Sequence, residues 1–333
     1  MKEGIETREL LALDGHGAIV RGTYHKTYNS CADSPSNLIE RDRVGVVFLN
    51  GLAATRASNG DVTVYWADSF AERGYPSFRL DLPGFGDSEG DPPPEWLNFI
   101  NAGGYASIAA AKIKELVTRF NLSGVVIVGH CSGTVAAIHA AANRECLGLV
   151  LMDPSFHLSR SQTTRPKVRQ KLNDWALQSR FGGFLSHIFD LLKQIRLLLR
   201  ANTLPENANF SLLRQWKEVA STGMPILILK APRWRSPGTK PRVGEFDYLK
   251  HVLGLAGRKG RVVVKVMEGA NHSFANRLGR VAVRQHTECW LNENFPSLKR
   301  EEGAVSTSLL ERNGNKTHNQ FHEDCTTNIC HGV

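Results

Sequence analysis

Gly124-Val125-Val126-Ile127-Val128-Gly129-His130-Cys131-Ser132-Gly133-Thr134-Val135-Ala136-Ala137 is the stretch that decides the fold. Val125 to Val128 is a β-branched run of the kind a buried strand uses, and Thr134 to Ala142 is Ala-rich and helical. Only Gly129 to Gly133 separates the two. Glycines two positions either side of Cys131 permit a tight, strained turn, which lifts the central side chain off the sheet at a helix N-terminus. The pattern G-x-Nu-x-G in this context predicts an elbow with Cys131 at its apex. Without that context, Cys131 would read as a small buried filler between closely packed elements.

Working outward, the same alternation of short apolar runs and longer helical stretches continues in both directions. Glu9 to Leu13 and Ala18 to Tyr24, split by Asp14-Gly15-His16-Gly17, predict an antiparallel hairpin. Val44 to Leu49 and Pro76 to Leu80 predict strands, with a helix over Asp61 to Arg73 between them. Ala106 to Phe120 reads as a helix before Gly124 to Val128, and Leu147 to Met152 as the next strand. Pro225 to Lys230 and Arg261 to Met267 complete the series, and Arg280 to Asn294 is the last helix. This order predicts an α/β fold with a mostly parallel central sheet and helices on both faces. Ser155 to Thr222 breaks the rhythm with about seventy residues of helical pattern and no strand, which predicts an inserted helical cap. The expected organisation is therefore 1–154 and 223–298 for the core, 155–222 for the cap and 299–333 for a loose polar tail.

Composition limits the class. The 333 residues are 41% hydrophobic and 22% charged, enough for a real core and unlike a disordered or collagenous chain. Six cysteines (Cys31, Cys131, Cys146, Cys289, Cys325, Cys330) form no CxxC pair and no zinc-finger spacing, which argues against a disulfide framework or structural metal. The charged start, Met1 to Leu13, lacks the apolar core of a secretory signal, and no run approaches the ~20 apolar residues of a spanning helix. These features predict a soluble cytoplasmic protein with reduced thiols and no stable membrane insertion. Lys plus Arg number 41 against 32 Asp plus Glu, a formal +9. The last 33 residues carry −3, so the excess lies earlier, and ten basic against three acidic residues fall between Ser155 and Gln215. No nucleic-acid module accompanies them, so nucleic acid is not an expected partner.

A nucleophilic thiol needs a base within hydrogen-bond reach. His272, in Ala270-Asn271-His272-Ser273-Phe274 just after the last strand, is the candidate; His130, adjacent to Cys131, is poorly aimed for the task. The set Val46-Val47-Phe48-Leu49-Asn50-Gly51, Arg79-Leu80-Asp81-Leu82-Pro83-Gly84-Phe85-Gly86-Asp87-Ser88, Gly129-His130-Cys131-Ser132-Gly133 and Gly269-Ala270-Asn271-His272 resembles the α/β-hydrolase superfamily. Within it, the cysteine elbow, the Asp87-Ser88-Glu89-Gly90 loop and the basic cap are similar to exosortase-system-associated hydrolases. Dienelactone hydrolases and polyhydroxyalkanoate synthases also use cysteine at this place.

The resemblance implies an oxyanion hole built from the Ser132 N–H and an N–H of the loop after Val44 to Leu49, with Leu52 as candidate and Ala53 as its neighbour. It also implies an acid a few residues past Pro225 to Lys230. That stretch, Ala231-Pro232-Arg233-Trp234-Arg235, holds no carboxylate. Asp153, ending the preceding strand, and Asp247 are the two candidates, with Glu245 behind them. Each has a structural reading as well: Asp153 as a cap for the turn at Pro154, Asp247 as the opening of a helix at Tyr248.

A free thiol near pKa ~8.5 is mostly protonated at neutral pH, and a helix N-terminus with a paired imidazolium favours the thiolate. An acyl-cysteine is a thioester, which water, an amine, an alcohol or another thiol can resolve. The sequence therefore predicts a cofactor-free hydrolase acting on an ester or thioester through Cys131. An acyltransferase or cyclase with the same intermediate is the alternative, and a non-catalytic binding protein on a hydrolase scaffold is the third reading. The partner expected is a small-molecule acyl substrate, including CoA-type or acyl-carrier thioesters that would suit the basic cap.

Overall fold

The computed structural model describes residues 7–15, 17–27, 43–51, 54–158, 204–232 and 247–297. An antiparallel hairpin of β1 (Arg8–Leu13) and β2 (Val20–His25) leads into β3 (Val44–Leu49), β4 (Ser77–Leu80), β5 (Gly124–His130), β6 (Cys146–Met152), β7 (Pro225–Lys230) and β8 (Arg261–Val266). They form one sheet in the order β1-β2-β4-β3-β5-β6-β7-β8. β2 runs antiparallel to β1 and β4, and every pairing from β4 to β8 is parallel. The fold is thus the mostly parallel, doubly covered sheet that the sequence predicts.

Strand periodicity explains the two layers of core. Val47, Leu49, Val125, Ile127, Leu149, Leu151, Ile226 and Ile228 face one side, while Val46, Phe48, Val126, Val128, Val150, Met152, Leu227 and Leu229 face the other. Each strand reads as a continuous apolar run because it is buried on both faces. The first side is covered by α3 (Ala106–Arg119), α4 (Gly133–Ala140), α5 (Phe210–Ala220) and α6 (Tyr248–Ala256). The second is covered by α1 (Val62–Glu72), which buries Trp66 and Phe70, and α7 (Arg277–Asn294), which buries Val283, Trp290 and Leu291. A short helix, α2 (Trp96–Asn101), follows Pro92-Pro93-Pro94 and has too few residues to leave a periodic signal in the sequence.

Of the expected cap, 159–203 lies outside the described residues, as does all of the expected tail from 299. At the end of the cap stretch, α5 buries Leu212, Leu213 and Trp216 in the same cluster as Ile226 and Ile228, so these residues cover the sheet. Trp216 donates its indole N–H to the Val252 carbonyl at 2.7 Å, tying α5 to α6. α7 begins at Arg277, three residues before the expected start, because the Asn276 side chain accepts from the Gly279 N–H and caps it. Among the described residues no helix is long and apolar enough to cross a membrane, and no group of three or more His, Cys, Asp or Glu could hold a metal ion.

Candidate active site

The elbow forms where β5 hands over to α4. A Cβ on Gly133 would collide with the Leu49 carbonyl oxygen, and one on Gly129 would sit 2.8 Å from both the Ala137 Cβ and the Thr134 Cα. Only glycine allows the helix to approach the strand this closely. Cys131 is held at φ 52°, in the left-handed region, and its N–H donates to the Met152 carbonyl at 3.0 Å. The Cys131 carbonyl in turn accepts from the Thr134 hydroxyl at 2.5 Å. The thiol is partly exposed, whereas Cys146, inside the sheet, is buried and its thiol is pushed up to about 12 by desolvation.

Asp153 follows β6 directly, at φ 49°, its N–H bonded to the Leu229 carbonyl of β7 at 2.8 Å. The His272 Nδ1–H donates to Asp153 Oδ2 at 2.5 Å. The other carboxylate oxygen, Oδ1, accepts from the Lys230 ammonium at the end of β7. Burial pushes the Asp153 carboxyl up, but the hydrogen bonds from His272 and Lys230 outweigh it and hold the group below its ordinary value. The Asp153 hydrogen bond, and next the hydrogen bond with Cys131, raise His272 to about 10 against partial desolvation. With Nδ1 engaged by Asp153, Nε2 is the nitrogen available to the thiol.

Of the two candidate acids, the structure therefore brings Asp153 to His272 and leaves Asp247 elsewhere. Asp247 is the N-cap of α6, its side chain accepting from the Lys250 N–H at 3.0 Å. Glu245 lies outside the described residues, as do Leu52 and Ala53. The loop that carries them starts at Asn50, whose side-chain amide donates to the Thr55 carbonyl at 2.7 Å. Gly51 faces the elbow so closely that a Cβ there would lie 3.1 Å from the Cys131 Cβ. Ser132 is the N-cap of α4, and the N–H groups of a helix's first turn point out of its N-terminus.

The loop that presents His272 is fixed by Asn271, Phe274 and His130, to which the sequence assigns no role in holding it. Phe274 is fully buried, at φ 52°, and anchors the loop in the core. Asn271 Oδ1 accepts from the Ala275 N–H at 3.1 Å. His130, the neighbour of Cys131, is buried and braces the same loop: its Nε2–H donates to the His272 carbonyl at 2.9 Å. Burial lowers its basicity, which suits a neutral ring acting as a donor to a carbonyl. Three non-glycine residues in left-handed conformation, Cys131, Asp153 and Phe274, thus sit in or beside the three segments that converge here. Such backbone costs about 1–3 kcal/mol per residue and persists where surrounding packing enforces it.

A small cleft adjoins the elbow, lined by Ser132 and Gly133 and by Leu82, Phe85, Ile100 and Tyr105. The arrangement can accept a thiol proton at His272 Nε2 and aim first-turn N–H groups at a developing oxyanion.

A doubly covered, mostly parallel sheet with a side chain lifted at a strand–helix elbow defines a class of α/β proteins built to present a nucleophile. The family model that matches the sequence, described as the alpha/beta hydrolase family, spans residues 46–282. The chain belongs to that family. No curated protein matches the sequence. Solved structures share the fold at low identity. DcsB, solved in complex with its substrate analogue, is 16% identical over 86% of this chain and 99% of its own, with a TM-score of 0.51. The esterase Pf2001 of Pyrococcus furiosus is 13% identical over 86% and 93%, with a TM-score of 0.54. The α/β hydrolase GrgF from Penicillium is 13% identical over 86% and 99%, with a TM-score of 0.52.

Proposed function

We propose that this chain is a hydrolase that cleaves an ester or thioester through an acyl-cysteine intermediate. The observation that carries the proposal is the chain of contacts from Cys131 through His272 to Asp153 at the apex of the elbow. His272 Nε2 takes the thiol proton as Cys131 Sγ attacks the acyl carbon. The tetrahedral oxyanion is held by the Ser132 N–H and by an N–H of the loop at 51–53, Leu52 being the candidate. As the carbon–oxygen or carbon–sulfur bond breaks, the imidazolium returns its proton to the leaving group. Water, deprotonated by His272, then attacks the thioester, and the acid leaves as Cys131 regains its proton.

Membership in the family, the esterase among the fold neighbours, and the resemblance to cysteine-using hydrolases are consistent with this reading. The contact of Asp153 with His272 supports the catalytic reading over a non-catalytic binding protein, which the missing acid after β7 had favoured. The basic residues between 155 and 215 make CoA-type and carrier-protein thioesters the first substrates to try. An acyltransferase or cyclase would use the same intermediate with an amine, alcohol or thiol in place of water.

Intact-mass spectrometry after exposure to a panel of acyl esters and thioesters tests the proposal. A mass increase of one acyl group is expected, mapped to Cys131 and lost in Cys131→Ala. Full turnover in Cys131→Ala would overturn it. Adding amine and alcohol acceptors separates the modes, since a product ratio insensitive to every acceptor means hydrolysis.

A further inference from the structure

The register of β6 and β7 pairs Met152 with Leu229, so the next residues, Asp153 just past β6 and Lys230, the last residue of β7, lie side by side at the rim of the sheet. The Asp153 side chain is 14% exposed and that of Lys230 25%. One carboxylate is thus shared by two basic groups, Lys230 on Oδ1 and His272 on Oδ2. An ammonium has only donors, so it fixes which oxygen is left for the imidazole. It also cancels much of the negative charge that a lone carboxylate would impose on His272.

We propose that Lys230 is a positioning residue of the site, holding the Asp153 carboxylate in the orientation that serves His272 and tempering the basicity which that carboxylate confers. This rests on the acyl-cysteine reading above. The chemical need is specific. A carboxylate close to an imidazole stabilises the imidazolium, which helps it take the thiol proton. The same stabilisation hinders the next step, in which Nε2–H must pass its proton to the departing oxygen as the carbon–oxygen bond breaks. General acid catalysis is most effective when the donor's pKa lies near the working pH. His272 already stands well above that range, raised first by Asp153 and then by Cys131. Lys230, a cation bound to the same carboxylate, has a charge of the sign that would oppose that rise. Among the described residues, the ionisable groups facing the Asp153–His272 pair are Lys230 from the end of β7, Cys131 from the elbow and His130 from the end of β5.

The test compares Lys230→Met, Lys230→Gln and Lys230→Arg in the full chain, with thermal melting to establish that each folds. Gln keeps a donor for Oδ1 without the charge, so it reports the electrostatic part if Met fails to fold. Carried in the Cys131→Ala background, where the thiol no longer raises His272, the imidazole is titrated by NMR. The neutral variants should move its midpoint up by about one pH unit, and Arg should leave it in place. In the enzyme with Cys131 intact, the neutral variants should slow an alkyl ester, whose leaving group requires a proton, roughly threefold more than a p-nitrophenyl ester. Coincident titrations in all variants, or an equal loss on both esters, would overturn the proposal. Failure of Cys131 to acquire an acyl group in the unmodified chain would instead overturn the acyl-cysteine reading, while the titration would still report on Lys230.

Discussion

Replacing Asp153 by Asn and Asp247 by Ala separates the two carboxylates that the sequence offers for one role. In Asp153→Asn the new amide is nearly isosteric, but it could not stand in for the carboxylate. The Lys230 ammonium can only donate, so it would take the amide oxygen and turn the NH2 group towards His272 Nδ1. A donor facing Nδ1 forces the neutral imidazole to carry its proton on Nε2, where it cannot accept the thiol proton. The charge that stabilises the imidazolium is lost as well. Wrong-tautomer substitutions of this kind cost about 10⁴ in kcat, or roughly 5 kcal/mol of transition-state stabilisation. Asp247, by contrast, accepts one backbone N–H at the start of α6. Its loss should cost about 0.5–2 kcal/mol of stability and leave turnover unchanged. The assay is kcat/KM on a short-chain p-nitrophenyl ester, paired with urea unfolding. Asp153→Asn retaining turnover within tenfold of the parent, or Asp247→Ala losing more than a hundredfold while still folded, would refute the assignment.

Two further outcomes concern the scaffold. Gly133→Ala drives a methyl group into the Leu49 carbonyl oxygen, so α4 must shift against the end of β3. A loss of about 1–3 kcal/mol in urea unfolding is expected, with reduced acylation of Cys131, and an unchanged midpoint would contradict the close packing described here. His25 is 1% exposed, donates Nδ1–H to Asp68 Oδ1 at 2.7 Å and accepts from Arg79 Nε at 2.7 Å. Burial, and next the Arg79 charge, lower it to about 4. The unfolded chain takes up this proton near pH ~6.5, so the associated stability is present above that pH and is lost as the pH falls through about 4. The loss should amount to about 3 kcal/mol. His25→Gln should flatten that stretch of the stability curve, and parallel curves for the two proteins would refute the linkage.

How much of this was legible in the sequence follows from how local each signal is. The β5–α4 elbow is written within ten residues, because Gly129 and Gly133 are demanded by contacts between the strand and the helix that directly follows it. The two-sided burial of β3, β5, β6 and β7 is equally local, since each carries its apolar residues on both faces. The acid was not legible, because the choice between Asp153 and Asp247 depends on which strand end lies beside the His272 loop. That is a property of sheet order and register. Asp247 is a good N-cap by its own sequence, a role that competes for the same carboxylate and here wins.

A signal for the Asp153–His272 contact was nevertheless present. Leu147 to Met152 is followed by Asp153, and Pro225 to Lys230 closes on Lys230. Two consecutive buried parallel strands that close on opposite charges at the same end predict that those charges meet once the strands pair in register, as Met152 and Leu229 do. A carboxylate desolvated at the rim of a sheet requires a partner. Paired in this way, the strand ends set Lys230 on one oxygen of Asp153 and leave the other for His272.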